Sequence, residues 1–309
     1  FKNLGLVIID EQHRFGVNQR ATLIDKGTNP HCMAMTATPI PRTLAITYHG
    51  DMDISTIDEL PSNRIPNVTR IVEPNRMNKV YAFIRKEVSM GRQCIIVYPL
   101  VEESEKSDLA AAVEAHKELS TIQFNQIAVD LLHGKMKSDE KDRIIKKFEI
   151  NEISILVSTT VIEVGIDIPN ATVMLVENAE RFGLTQLHQL RGRVGRGSEK
   201  SYCILVKRNN TETSKNRLAI MEKTNDGFII ADEDLRLRGP GEFLGQKQSG
   251  FFQYKIANMA TDGSIIRQAR EAAFSLIEND PNLDNSKNLI MKKWFISNYS
   301  QHLDKINLS

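Results

Sequence analysis

Twelve residues, QLHQLRGRVGRG at 186–197, concentrate side chains suited to phosphate. Arg191, Arg193 and Arg196 hold their charge at any working pH, and a guanidinium presents a planar fork that meets two phosphate oxygens at once. Gly192 and Gly195 let the backbone approach a ligand closely. Arg193 and Arg196 stand three apart, a spacing that puts both on one helix face, where they can reach one anion together. From 191 to 208 six Lys/Arg face the single acid Glu199 in a chain of net charge +1, so the enrichment is local. A solvated basic helix end or an RNA-contacting patch has the same local composition.

A second set of groups follows the apolar run LGLVII at 4–9, which reads as a strand buried on both faces. It ends in Asp10-Glu11-Gln12-His13. Acids at the carboxyl end of such a strand lie at the edge of a ligand crevice. Asp10 can hold Mg²⁺, directly or through water, because that ion prefers a few carboxylates together with phosphates and waters. Glu11 can polarise an attacking water. HCMAM at 31–35 reads as a neighbouring strand, with Thr36 and Thr38 at its end and Pro39 and Pro41 preventing continuation. Their hydroxyls can relay between a nucleotide and a second domain, or simply cap a turn.

The elements that must position these groups follow from periodicity. LPSNRIP at 60–66, with two prolines, marks a boundary. Strands are expected at 69–74, 93–100, 127–134, 153–160, 172–179 and 201–207, with helices near 78–90, 106–119 and 138–149, the last capped by Ser138. Strands interleaved with helices give an α/β layer with a mostly parallel sheet. His133, Thr159, Thr160, Gly165 and Asp167 fall at carboxyl ends of strands, where ligands bind in such sheets; each also has a plain reading as a turn or cap. Residues 208–231 read as helical. The glycine-rich run 232–250 reads as a shaped loop of functional length, and a further helical stretch extends to about 280. Trp294 and Phe295 read as core anchors.

A chain of 309 residues is long for one core, and 41% hydrophobic with 26% charged residues excludes a disordered chain. The near-zero net charge means that any nucleic-acid contact comes from a local patch. Cys32, Cys94 and Cys203 are far apart and read as reduced thiols of a cytoplasmic protein, with no zinc spacing. No apolar run is long enough to span a membrane, and no signal peptide is expected.

Taken together the motifs resemble superfamily 2 helicases of the DExH type. IIDEQHRFGV is similar to motif II, TATPIPRT to motif III, VSTTVIEVGIDIPNA to motif V, QLRGRVGRG to motif VI, and RLRGPGEFLGQKQSG to a translocation-coupling loop. The resemblance runs from residue 4 to about 260, with the motifs in family order. It implies a RecA-like parallel-sheet motor domain with helices on both faces, plus a C-terminal helical and loop coupling region. The implied divisions are 1–62 as the end of a first motor domain, 63–208 as a second motor domain, and 209–309 as the coupling region and C-terminal helices.

The resemblance also implies roles. Asp10 would bind the Mg²⁺ of Mg-ATP and Glu11 would activate water. Arg193 and Arg196 would act as arginine fingers on the γ-phosphate. His13 would meet Gln189 across the cleft, and Thr36 and Thr38 would help couple nucleotide state to closure. Gly165 and Asp167 would lie beside the nucleotide. His133, Thr159 and Thr160 would contact DNA, and Arg217, Arg238, Gly241 and Gln248 would couple closure to movement. The expected partner is branched double-stranded DNA, meaning forks and Holliday junctions, with a single-stranded DNA-binding protein as a further partner. The expected location is the cytoplasm, at the nucleoid.

One departure matters. No GxxxxGK[ST] phosphate loop occurs; the only Gly-Lys step, Gly134-Lys135, continues with Met136. In the family that loop lies upstream of motif II, so this chain is expected to be a fragment that does not hydrolyse ATP alone. Two other readings carry different functions: the motor of a transcription-repair coupling factor, and a non-catalytic DNA-docking module. His13 in motif II and the short stretch after the coupling loop favour the fork-remodelling helicase over the first. The intact Asp10, Glu11, Arg193 and Arg196 argue against the second.

Overall fold

The computed structural model describes residues 1, 3–11, 15, 17–38, 53–59, 61, 64–100, 105–160, 168–209, 211–238 and 262–306. The chain divides into two compact units, one of residues 56–238 and one combining 1–55 with 239–309.

The larger unit is built on six parallel strands: β3 (Val68–Val72), β4 (Gln93–Val97), β5 (Val129–Leu132), β6 (Ile155–Ser158), β7 (Ala171–Val176) and β8 (Tyr202–Val206). Their order across the sheet is β3-β8-β7-β4-β6-β5, every neighbouring pair parallel. All six positions agree with the apolar runs in the sequence. The run QCIIV is buried at every residue of β4, because helices cover both faces. The pleat then sorts alternate residues: Ile95 and Val97 join one core, Cys94 and Ile96 the other.

One core is closed by α4 (Ser138–Glu149), α5 (Leu184–Arg191), α6 (Glu212–Lys223) and α7 (Gly227–Arg238), through Ile144, Phe148, Leu184, Leu187, Leu190, Leu218, Met221 and Ile230. The other is closed by α2 (Met77–Ser89) and the turn after α3 (Glu105–Glu118), through Met77, Val80, Ile84, Leu119 and Phe124. The unit therefore takes in α6 and α7, beyond the boundary at residue 208 expected from the sequence. The thiols of Cys94 and Cys203 are free and fully buried.

Several local expectations need correction. Ser138 is the first residue of α4 and not its cap; Lys137 holds the cap position with no side-chain bond, and Asp139 and Glu140 complement the helix dipole instead. The run 208–231 divides at Thr224–Asp226, where Asp226 Oδ1 accepts Phe228 N at 2.7 Å and so caps α7. That helix continues through residues 232–238, which contain no breaker before Gly239; the remaining expected loop, 239–250, lies outside the described residues.

In the smaller unit β1 (Leu6–Ile9) pairs in parallel with β2 (His31–Ala34), joined by α1 (Val17–Ile24). The run LGLVII is buried on one face only: Val7 and Ile9 are buried, whereas Leu6 is 55% and Ile8 54% exposed, since no described element covers that side of the two strands. The same unit contains α8 (Gly263–Asn279) and α9 (Leu289–Ile306). Trp294 and Phe295 on α9 are 51% and 40% exposed, so they are not core anchors in this chain. Among the described residues no helix is long and apolar enough to cross a membrane.

Candidate functional site

The carboxyl ends of β1 and β2 bring the first group of predicted residues together. The register pairs Ile9 with Ala34, and Met35 N donates to Ile9 O at 2.7 Å, so the residues just beyond, Asp10-Glu11 and Thr36, emerge side by side. Asp10 is exposed, and its Oδ1 accepts Glu11 N at 2.8 Å. Glu11 adopts a positive φ of 49°, a conformation rare for a side chain of its length, which turns the chain sharply at the strand end. Thr36 Oγ1 donates to Glu11 Oε2 at 3.5 Å and accepts Thr38 N at 3.0 Å. The residues of motifs II and III therefore form one polar edge. Among the described residues no three His, Cys, Asp or Glu side chains form a metal cluster. An exposed lone carboxylate of this kind suits Mg²⁺ carried largely by phosphates and water.

The arginine loop belongs to the larger unit. Leu184, Leu187 and Leu190 bury one face of α5, and this phase carries Arg191 inward as well. Arg191 is 3% exposed; its Nη1 donates to Met221 O and Thr224 O, both at 2.9 Å, and to Thr69 Oγ1 at 3.3 Å, and Nη2 lies 3.2 Å from His188 Nδ1. It clamps the end of α6 and is not free to meet phosphate, a correction to its inclusion in the phosphate set. The helix ends at Gly192, Val194 is fully buried, and Gly195 turns the chain at φ 76°. Arg193 is half-buried and Arg196 exposed, with Arg196 Nε donating to Gly192 O at 3.3 Å. Glu199, the one acid of this run, is held by Arg92 at 2.5 Å, and Arg92 also pairs with Glu87. Gln189 is half-buried on α5.

Burial and the neighbouring Arg191 depress the His188 imidazole to about 4. The neutral ring is the folded form, while an unfolded chain takes up a proton near the ordinary histidine value. Stability is therefore full above about pH 6.5 and falls as pH drops toward 4. Urea melts of the chain at pH 7.5, 6 and 5 should show this loss, and His188→Gln should flatten it. An unchanged slope in His188→Gln would assign the acid sensitivity to other groups.

The remaining predicted residues of the sheet lie at its other end. Arg193 and Arg196 precede β8 at the amino end of the strands, where Val68 N bonds Ser201 O. His133, Thr159 and Thr160 follow the carboxyl ends of β5 and β6. Thr159 is fully buried, and its Oγ1, like His133 Nδ1, has no hydrogen-bond partner. Thr160 is half-buried, so of the two hydroxyl residues it is the one nearer solvent. His133 opens onto a cleft of about 740 Å³ lined also by Lys135, Met136, Lys137, Asp139, Glu140 and Arg143. Lys141 Nζ donates to Gly134 O at 2.6 Å and pins the cleft's loop. Three cations outnumber two acids there, beside the amino end of α4, whose dipole adds to the positive potential.

Arg217 Nη2 donates to Glu180 O and, at 2.8 Å, to Phe182 O, joining α6 to the turn before α5. Arg238 ends α7, its side chain outside the described residues. His13, Gly165, Asp167, Gly241 and Gln248 also lie outside them. Sequence reasoning missed Lys135, Lys137 and Arg143, whose only signal was a run of charge after His133-Gly134. It also missed Asn67, which carries no local signal at all.

Two family models match. "Helicase conserved C-terminal domain" matches residues 75–198, and "ATP-dependent DNA helicase RecG, domain 3, C-terminal" matches residues 224–305. The ATP-dependent DNA helicase RecG of Synechocystis sp. is 55% identical over 292 residues, 94% of this chain and 35% of that protein. RecG of Bacillus subtilis is 51% identical over 280 residues, 91% of this chain and 41% of that protein. A solved structure of RecG bound to a three-way DNA junction is 47% identical, with a TM-score of 0.67, over 86% of this chain and 34% of that chain. The chain thus spans roughly two-fifths or less of these relatives.

Proposed function

We propose, because this chain belongs to the RecG helicase family and corresponds to its C-terminal portion, that it supplies the second motor domain and coupling region of an ATP-dependent translocase on branched duplex DNA. The observation that carries this reading is the arginine loop. The fold buries Arg191 as a clamp yet leaves Arg196 exposed and Arg193 half-buried on the turn that follows, while Glu199, the acid of the run, is held by Arg92. Such groups stabilise charge that develops in phosphoryl transfer.

In this reading Glu11 orients the attacking water and Arg193 and Arg196 meet the γ-phosphate. Asp10, together with the substrate's own phosphates, would hold Mg²⁺, whose charge would offset that of the phosphates. Thr36, Thr38, His13 and Gln189 sense the nucleotide, with Gly165 and Asp167 beside it. Arg217, Arg238, Gly241 and Gln248 pass closure on to the DNA. The substrates are stalled forks and Holliday junctions in recombination and repair, at the nucleoid, with a single-stranded DNA-binding protein as an accessory partner.

DNA contacts are assigned to the cleft beside α4, which His133 helps to line, and to Thr159 and Thr160 after the neighbouring strand. Contacts of this type are to phosphate and so independent of sequence. Lys137→Ala and Arg143→Ala should each weaken forked-DNA binding equally across sequences, and lower the log–log salt slope by about 1. Fluorescence anisotropy at several salt concentrations reads both quantities, and an unchanged slope in both variants would move the DNA path elsewhere.

The whole reading is tested by the DNA-stimulated ATPase of this chain beside a version extended upstream through a phosphate-loop sequence. Hydrolysis by the extended form alone supports a motor split between segments. Silence of both on forked DNA would favour the docking module.

A further inference from the structure

The arginine loop is held in shape by a residue 124 positions or more upstream of its carbonyls. Asn67 lies in the stretch that leads into β3, immediately before Val68. Its Nδ2 donates to Arg191 O at 2.8 Å and to Val194 O at 3.2 Å, bracketing Arg193 between its two bonds. Two carbonyl partners fix which end of the amide faces the loop, because only the NH₂ group can donate to both. Asn67 Oδ1 is buried without a hydrogen-bond partner and stands over Gly195, where an added Cβ would collide with it. Gly195 therefore serves two needs: its φ of 76° and its lack of a side chain. The support continues outward, with Arg64 Nη2 donating to Gly192 O at 3.4 Å and Asn225 Nδ2 donating to Asn67 O at 3.2 Å.

The carbonyl of Arg191 is the last of α5, where intrahelical donors run out, and that of Val194 lies three residues further on, among the carbonyls of the loop. A side-chain amide that satisfies two of them fixes the direction in which the next residues leave. We infer that Asn67 is the positioning residue of the arginine loop: it sets the path of Gly192–Arg196 and so the aim of Arg193 and Arg196, without touching the nucleotide. This rests on the reading of those two arginines as fingers in ATP hydrolysis.

The test uses the protein extended upstream through its phosphate loop. Asn67→Ala should lower kcat for DNA-stimulated ATP hydrolysis by about 10–100-fold, since misplacement by an ångström can cost a factor of 10². KM for ATP and affinity for forked DNA should stay within about 3-fold, a split expected when transition-state contacts alone are lost. The double variant Asn67→Ala/Arg196→Ala should be slower than Arg196→Ala by less than the full Asn67→Ala factor, because the part of the effect that runs through Arg196 is already lost and only the part through Arg193 remains. Asn67→Asp, which keeps the size and sets a carboxylate against two carbonyls, should reproduce the kcat loss, and it replaces Asn67→Ala if that variant melts below the assay temperature. A kcat within 2-fold of the parent in a folded Asn67 variant, while Arg196→Ala is inactive, overturns the positioning role alone. So does a double variant that shows the product of the two losses. Full activity in Arg196→Ala overturns the finger reading and the inference with it.

Discussion

Arg196→Ala is expected to lower DNA-stimulated ATP hydrolysis by the upstream-extended protein by about 10³-fold or more, the scale on which arginine fingers act in phosphoryl transfer. The same change should leave forked-DNA binding intact, because the cleft beside α4 lies at the opposite end of the sheet. It should also shift thermal stability little, since the side chain is exposed and substitutions at such positions usually cost within about 0.5 kcal/mol. Arg196→Lys should recover only part of the rate, because an ammonium cannot present the two-pronged fork. Steady-state kinetics over ATP concentration separates the cases: a loss in kcat supports a transition-state role, while a rise in KM alone would reduce Arg196 to a ground-state contact. A rate above one tenth of the parent would remove the finger assignment.

Arg191→Ala, five residues earlier in the same motif, should fail in a different way. Arg191 is 3% exposed and donates to two backbone carbonyls, at Met221 and Thr224, and to the hydroxyl of Thr69. Truncation leaves those acceptors dry and unpaired, at about 1–3 kcal/mol each, and opens a cavity under α6. A total loss of about 3–5 kcal/mol is expected, a large fraction of the stability of any domain. Urea unfolding of the chain, followed by circular dichroism, should show the midpoint fall without a change in the spectrum of the folded baseline. Arg191→Lys should be intermediate, reaching one carbonyl but not both. An unaltered midpoint in Arg191→Ala would show that water replaces the guanidinium and that the clamp is dispensable. In the extended protein, activity of Arg191→Ala should track its folded fraction, whereas Arg196→Ala should be folded and inactive.

Three arginines in one motif thus divide by role, and the division shows what the residue string can and cannot convey. The inner strands of the larger unit were legible because strands covered on both faces are mostly apolar, as in QCIIV and ATVMLV, and too short between their flanking breaks to be helices. The polar edge of Asp10, Glu11 and Thr36 was legible for a related reason: both segments end parallel strands, and parallel pairing puts the ends at the same level. Helix limits were less clear at the carboxyl side, where DEDLRLR has charge enough for a loop but continues α7 as far as Arg238.

By itself the amino-acid sequence determined the parallel α/β class and the positions of the strands, and it marked out candidates for phosphate contact, since these depend on residue type and on periods of two to four positions. Only the tertiary structure decided which arginine is a clamp and which are exposed or half-buried, because that turns on where the phase of α5 meets the core. It alone placed the arginine loop and the His133 cleft at opposite ends of one sheet, and it alone brought Asn67 onto the loop. Asn67 and the carbonyls it holds stand more than a hundred positions apart, and hydrogen bonds made across such a distance leave no period in the chain from which to read them.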